Sequence, residues 1–269
     1  CVTMQITEAE FDRFFDHVEF RNVTIPSTGE ACEMPLVGRS AIQMLSFHAA
    51  DRGAVLDVLP SPSMPPVIPD DGRTVIGVVA IEYAERNIAP YNEIIVVIPV
   101  RLHGENPPTI ADLVSEGLGG CTLLVRHIAV NTRLAEIVGN EILGYAKFIA
   151  HIDFIDLPDQ RICVCSEGGQ DLFRLSVGVG TEVGPFERNQ LSVCTAKDGK
   201  LFQLSYANQV RYATDAPDRN VLVLGDHPIG RALHALGIDE TPLVARYAPT
   251  FQLISDDRNL EVASLKTAE

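Results

Sequence analysis

Lys147 is the most chemically distinctive residue of this 269-residue chain. Lysine occurs at only four positions, 147, 197, 200 and 266, so none precedes Lys147. It sits in an apolar run, Tyr145-Ala146-Lys147-Phe148-Ile149-Ala150. An amine in such company either snorkels its charge to water or is kept for its chemistry. The chemistry would be condensation with a ketone or aldehyde, which turns the carbonyl carbon into an electron sink. The amine must be neutral for that, and an ordinary lysine with a pKa of about 10.4 is neutral only roughly once in 10³ near pH 7. Burial disfavours the charged form and lowers such a pKa by up to about 3–5 units. The competing reading is an ion pair with a carboxylate at a sheet edge.

Three further residues offer matching chemistry. Arg39 opens an apolar segment, where a guanidinium could grip a carboxylate through two parallel hydrogen bonds. It could equally form a surface ion pair. Glu93 interrupts a Val/Ile-rich stretch and could move protons, or could mark a solvated strand end. Glu82 follows the same parity logic, on one face with Ile76, Val78 and Ala80, and Glu85 competes with it. Other motif classes are absent: no glycine-rich phosphate loop, no G-x-S-x-G and no H-E-x-x-H. The seven histidines are scattered, so neither a metal nor a cofactor is expected.

The elements that would position these groups are mostly strands. A capping box, Thr7-Glu8-Ala9-Glu10, predicts a helix over about 7–18. Strands are expected over 39–48, 74–85, 92–102 and 121–130, with a short helix over 49–59 and a proline-rich loop from Pro60 to Asp71. In the first strand Arg39, Ala41, Gln43, Leu45 and Phe47 share a face. In the third, Glu93, Ile95 and Val97 do. Residues 104–120 read as a loop. Asn131 is the expected N-cap of a helix over 132–143, with Gly144 at its end. A strand over 145–155 would place Lys147 and Phe148 on opposite faces. After Pro158 the chain is nearly all strand, with Asp198-Gly199 as a hairpin turn and a short helix over 227–236. Many short strands with few helices predict a mainly β (α+β) chain, one domain over 1–269, with an antiparallel sheet closed into a barrel or cone.

Composition narrows the function. The formal net charge of −15 argues against nucleic-acid or anionic-membrane binding, and makes an anionic ligand depend on a local basic residue. No apolar run reaches the roughly 18–20 residues of a membrane span, and Cys1 to Gln5 lack signal-peptide character. The six cysteines lack metal-site spacing and read as reduced and structural, which favours a cytoplasmic protein.

Taken in order, four segments resemble the acetoacetate decarboxylase family. Gly38-Arg39-Ser40-Ala41-Ile42-Gln43-Met44 is similar to its first core strand. Leu56-Asp57-Val58-Leu59-Pro60-Ser61-Pro62 resembles the segment before its proline loop. Ala89-Pro90-Tyr91-Asn92-Glu93 with Ile98-Pro99-Val100 resembles its aromatic-x-Glu strand, and Gly139 to Lys147 resembles the segment that ends in its Schiff-base lysine. The resemblance implies an imine on Lys147, a substrate carboxylate on Arg39 and proton transfer by Glu93, with Glu82 standing in for a second family glutamate. Tyr145 and Phe148 flank the lysine as expected substrate contacts. The implied activity is a lyase on a small keto acid, by decarboxylation of a β-keto acid such as acetoacetate. The alternatives are aldolase/dehydratase-type chemistry or a non-catalytic barrel that binds a small ligand. Homo-oligomerisation is implied as well. Departures bear on the chemistry: Phe148 stands where the family's decarboxylases carry a second lysine, Ala146 replaces a proline, and Val78 falls on the second glutamate.

Overall fold

The computed structural model describes residues 4–61, 64–67, 72–101, 121–256 and 260–264. The loop expected over 104–120 and much of that between Pro60 and Asp71 lie outside these residues. In chain order the elements begin with β1 (Met4–Ile6), α1 (Glu8–Asp12), a hairpin of β2 (Arg21–Thr24) and β3 (Ala31–Met34), β4 (Leu36–Ala50) and α2 (Arg52–Val58). Next come β5 (Thr74–Arg86), β6 (Tyr91–Val100), β7 (Thr122–Val130), α3 (Arg133–Glu141), β8 (Lys147–Ile149) and β9 (His151–Asp156). The remainder is β10 (Gln160–Glu167), β11 (Gln170–Gly178), β12 (Phe186–Lys197), β13 (Lys200–Arg211), β14 (Val221–Leu224), α4 (Pro228–Ala235), β15 (Val244–Ser255) and β16 (Leu260–Ser264).

Strands β12, β13, β15, β4, β5, β6 and β7 pair in that order, and β7 returns to β12 to close a seven-stranded barrel. The barrel is mainly antiparallel, as expected, and departs from that at this seam. β7 pairs β12 in parallel, from Thr122↔Ser192 to Leu124↔Cys194, and β8 also runs parallel to β7. The second case follows from α3, because parallel neighbours require a crossover connection and a helix supplies it. A second antiparallel sheet, β14-β11-β10-β9, covers one side of the barrel.

Alternation sorts the apolar residues into two cores. Leu45, Phe47, Val79, Ile81 and Val97 point into the barrel. Ile76, Val78, Ala80 and Val96 point outward and pack on Ile152, Cys163, Cys165 and Phe173 of the second sheet. The expected strand over 145–155 is therefore two strands. The chain leaves the barrel at Ala150, so β8 serves one sheet and β9 the other.

Local signals fared unevenly. The Thr7–Glu10 capping box is formed, yet α1 ends at Asp12 rather than near 18. Asp198 and Gly199 take positive φ, as a tight hairpin turn demands. Thr132, not Asn131, caps α3. Gly144 adopts φ +77° just beyond the helix, a conformation glycine takes without steric cost. Cys32, Cys121, Cys163, Cys165 and Cys194 are all buried, and Cys163, Cys165 and Cys194 are free thiols.

Candidate active site

Lys147 projects into the barrel, only 7% exposed, and its Nζ lies 2.5 Å from Glu93 Oε2. The two residues sit on β8 and β6, two strands apart with β7 between them. Lys147 pairs Ile128, and Glu93 pairs Val130. That backbone separation is about 10 Å, so only two long side chains reaching toward each other can meet. Burial drives the Lys147 pKa below the ordinary lysine value, against the pull of the Glu93 carboxylate, and the charge of Arg86 adds to the lowering. Desolvation wins because it acts on the whole ammonium, whereas one carboxylate recovers only part of the lost hydration.

Arg86 was not anticipated, and it takes the place expected of Arg39. Between β4 and β5 the register runs Gly38↔Arg86, Ser40↔Glu85, Ala41↔Tyr83, leaving Arg39 and Ala84 as extra residues. Such a bulge reverses which residues face inward beyond it. On β4, Ala41, Gln43, Leu45 and Phe47 keep the expected face, but Arg39 turns outward and stacks on Phe15, 4.6 Å from the ring centroid. On β5, Ala84 and Glu85 are exposed and Arg86 turns in to line the cavity. The irregularity thus exchanges one arginine for another. The one sequence sign of it is Ala84-Glu85-Arg86, a polar end to an apolar strand that also fits a surface.

Tyr91 joins the charged groups. Arg86 Nη1 donates to Tyr91 Oη at 2.7 Å, and Tyr91 Oη reaches Glu93 Oε2 at 3.5 Å. Arg86 Cζ and Lys147 Nζ lie 5.2 and 5.6 Å from the centroid of the Tyr91 ring, so both cations rest on one aromatic face or its opposite. The turn between β5 and β6 that brings Arg86 and Tyr91 together holds Ala89 at φ +124°, a costly conformation for a residue with a Cβ. Asn87 braces the same turn: its Oδ1 accepts from Val37 N–H, and its Nδ2 donates to the carbonyls of Glu33 and Pro35.

The cavity in the barrel measures about 80 Å³. Gln43, Arg86, Glu93, Tyr145, Lys147 and Tyr206 supply polar groups, and aliphatic side chains such as Val79, Ile95 and Val125 form much of the remaining wall. An apolar cavity of roughly 150 Å³ holds benzene, so this one suits a ligand of only a few heavy atoms. Tyr145 and Tyr206 share a short hydroxyl–hydroxyl hydrogen bond, and burial pushes the Tyr206 phenol up to about 12. Tyr83 Oη and Arg86 Nε are buried in the same wall with no hydrogen-bond partner of good geometry. A buried donor without an acceptor is costly, and a ligand oxygen would satisfy it.

Of the expected site residues, the barrel brings together Lys147, Glu93 and Tyr145. Glu82 is not among them. It lies on the outward face of β5, as its parity with Ile76, Val78 and Ala80 requires, and pairs with Arg161 of β10. Phe148 is excluded by the same alternation: it points away from Lys147 and packs in the layer between the barrel and the second sheet. Among the described residues no group of three or more His, Cys, Asp or Glu could hold a metal ion. No helix among them is long and apolar enough to cross a membrane.

A closed barrel with an apolar cavity, a buried lysine and a paired glutamate defines a class that comparison identifies. The family profile described as acetoacetate decarboxylase (ADC) matches residues 24–235. The chain belongs to the acetoacetate decarboxylase family. Its fold is similar to a solved acetoacetate decarboxylase, with a TM-score of 0.65 at 14% identity over 87% of this chain and 91% of the other. It is similar also to the acetoacetate decarboxylase of Legionella pneumophila subsp. pneumophila str. Philadelphia 1, with a TM-score of 0.60 at 15% identity over 86% and 88%. The enduracididine biosynthesis enzyme MppR, solved with the condensation product of pyruvate and imidazole 4-carboxaldehyde, shares the fold with a TM-score of 0.54 at 11% identity over 87% and 91%. No curated protein sequence matches the chain.

Proposed function

We propose that this protein is an imine-forming carbon–carbon lyase acting on a small keto acid. The observation that carries the reading is Lys147, buried in an apolar cavity, at lowered pKa and in contact with Glu93. Glu93 takes a proton from the Lys147 ammonium, and the free amine adds to the substrate carbonyl. Glu93 gives that proton to the departing hydroxyl, and loss of water leaves the protonated imine. The carboxylate rests on Arg86, the inward-facing guanidinium of the cavity wall. With a β-keto acid the bond to the carboxyl carbon breaks, its electrons flow to the imine nitrogen, and CO₂ leaves an enamine. Glu93, recharged with a proton from water, delivers it to carbon, and hydrolysis releases the ketone product from Lys147. The acid–base steps need no cofactor.

The same enamine can attack an aldehyde instead of a proton, which gives the aldolase-type alternative; CO₂ release and condensation products separate the two. A homo-oligomer goes with this reading by family resemblance. A cytoplasmic location goes with it because buried free thiols suit a reducing compartment.

The test is borohydride reduction in the presence of a panel of β-keto and α-keto acids. The expected result is a mass increase mapped to Lys147 that disappears in Lys147→Ala. Ligand binding without an adduct from any carbonyl compound would overturn the reading in favour of a non-catalytic barrel.

A further inference from the structure

The lysine of the cavity lies on a very short strand. β8 has three residues, pairs β7 on one side, and has no strand partner on the other among the described residues. Little in the sheet itself holds the Lys147 backbone in place. The end of α3 supplies what the sheet does not. Lys147 N–H donates to Asn140 Oδ1 at 2.6 Å, and Asn140 Nδ2 donates to Lys147 O at 3.0 Å. One side-chain amide thus bonds both backbone groups of the residue, as a neighbouring strand would. The Asn140 carbonyl in turn accepts from Lys197 Nζ at 2.7 Å, which ties the helix end to β12.

Gly139, the preceding residue, faces the lysine directly. A Cβ placed there would lie well inside van der Waals contact with Cδ and Cε of Lys147, and its three nearest neighbours are all atoms of that side chain. Within a helix, glycine is a poorer choice than alanine on propensity grounds. Its presence here is explained by the lysine stem that crosses it. The stem has little freedom to yield, because Lys147 is buried and its amine is already held against Glu93.

From this geometry we infer that Gly139 and Asn140 are positioning residues for Lys147. Gly139 leaves the channel through which the stem reaches Glu93, and Asn140 fixes the backbone from which the stem starts. The catalytic consequence rests on the imine reading above, but the geometric coupling does not.

The experiment is a thermal-unfolding cycle over wild type, Gly139→Ala, Lys147→Ala and the double variant, joined to imine trapping in wild type, Gly139→Ala, Asn140→Ala and Asn140→Asp. Gly139→Ala should lower the Tm when Lys147 is present and raise it in the Lys147→Ala background. It should also slow trapping at least tenfold. Asn140→Ala should slow trapping and move the pH midpoint of trapping toward that of free lysine. Asn140→Asp, which keeps the acceptor for Lys147 N–H, should recover part of the rate. A Gly139→Ala change that raises the Tm equally in both backgrounds overturns the proposal. So does trapping whose rate and pH midpoint are unchanged in both Gly139→Ala and Asn140→Ala. If wild type itself gives no adduct, the imine reading fails, while the Tm cycle still decides the positioning.

Discussion

Lys147 Nζ and Glu93 Oε2 are 2.5 Å apart inside the barrel, and Arg86 and Tyr91 complete a chain of contacts that ends on the same carboxylate. An isolated buried lysine would shed its proton, and an isolated buried ion pair would hold it. Here two cations share the neighbourhood of one carboxylate, so Glu93 cannot satisfy both. The balance falls toward a lysine of lowered pKa, which is the state a nucleophilic amine requires. The neighbouring charge that position 148 does not provide comes from β5 instead.

The two arginines are expected to behave oppositely. Arg86→Met should weaken binding of an acidic ligand by roughly 10–100-fold, the worth of a charged hydrogen bond at about 1.5–3 kcal/mol. It should also raise the Lys147 pKa, since a repelling charge is gone. Arg39→Ala removes an exposed guanidinium from the Phe15 ring and should leave both quantities unchanged. Calorimetric titration and the pH profile of imine trapping read the two effects.

Glu93→Gln separates nucleophilicity from proton transfer. The amide keeps the shape of the carboxylate and removes its attraction for the Lys147 proton, so the lysine pKa should fall further. The amine then forms a trapped imine at least as readily as in wild type at neutral pH. Turnover should fall by roughly 10²–10⁴, the usual contribution of a positioned acid–base group. Equal losses in trapping and turnover would show that Glu93 acts only by holding Lys147.

Strand alternation was enough to place Glu93, Ile95 and Val97 inside the barrel, and a lone lysine among apolar residues was enough to mark Lys147. Both signals are local, and the one register shift along β6, between Val96 and Val97, puts its extra residue, Arg126, on β7. Arg39 and Arg86 could not be assigned that way, because a bulge between β4 and β5 sets their directions and depends on the pairing of two strands. The parallel closure of β7 on β12 is illegible for the same reason: it joins segments far apart in sequence. Phe148 and Glu82 are different. Alternation already put Phe148 opposite Lys147 and Glu82 beside Val78, and only adjacency in one case and family position in the other suggested the site.

Phe148→Lys tests whether a second lysine could serve this barrel from that position. The side chain would enter the apolar layer shared with Ile152, Cys165 and Phe173 rather than the cavity. The expected result is a loss of at least about 3 kcal/mol in unfolding free energy, from lost packing and an unpaired buried amine. The pH midpoint of imine trapping at Lys147 should not move. Chemical denaturation and the trapping profile together check both parts.

The lowered pKa of Lys147 also fixes the sign of a stability effect. In the Glu93→Gln background the complication of an orphaned carboxylate is removed, so Glu93→Gln and Glu93→Gln/Lys147→Met are the pair to compare. Above about 10.4 the amine is neutral in both folded and unfolded chains, and its contribution is fully present. As the pH falls, the unfolded chain takes up a proton that the folded chain refuses. Stability is then lost down to the lowered folded pKa, below which the difference is flat. The Lys147-containing protein should therefore gain on its Met partner as the pH rises through this window, by up to about 1.4 kcal/mol per pH unit. Urea unfolding at a series of pH values measures it. A difference that is constant from neutral pH to above 10.4 would mean that Lys147 keeps an ordinary pKa, and the route to a neutral amine at physiological pH would be lost.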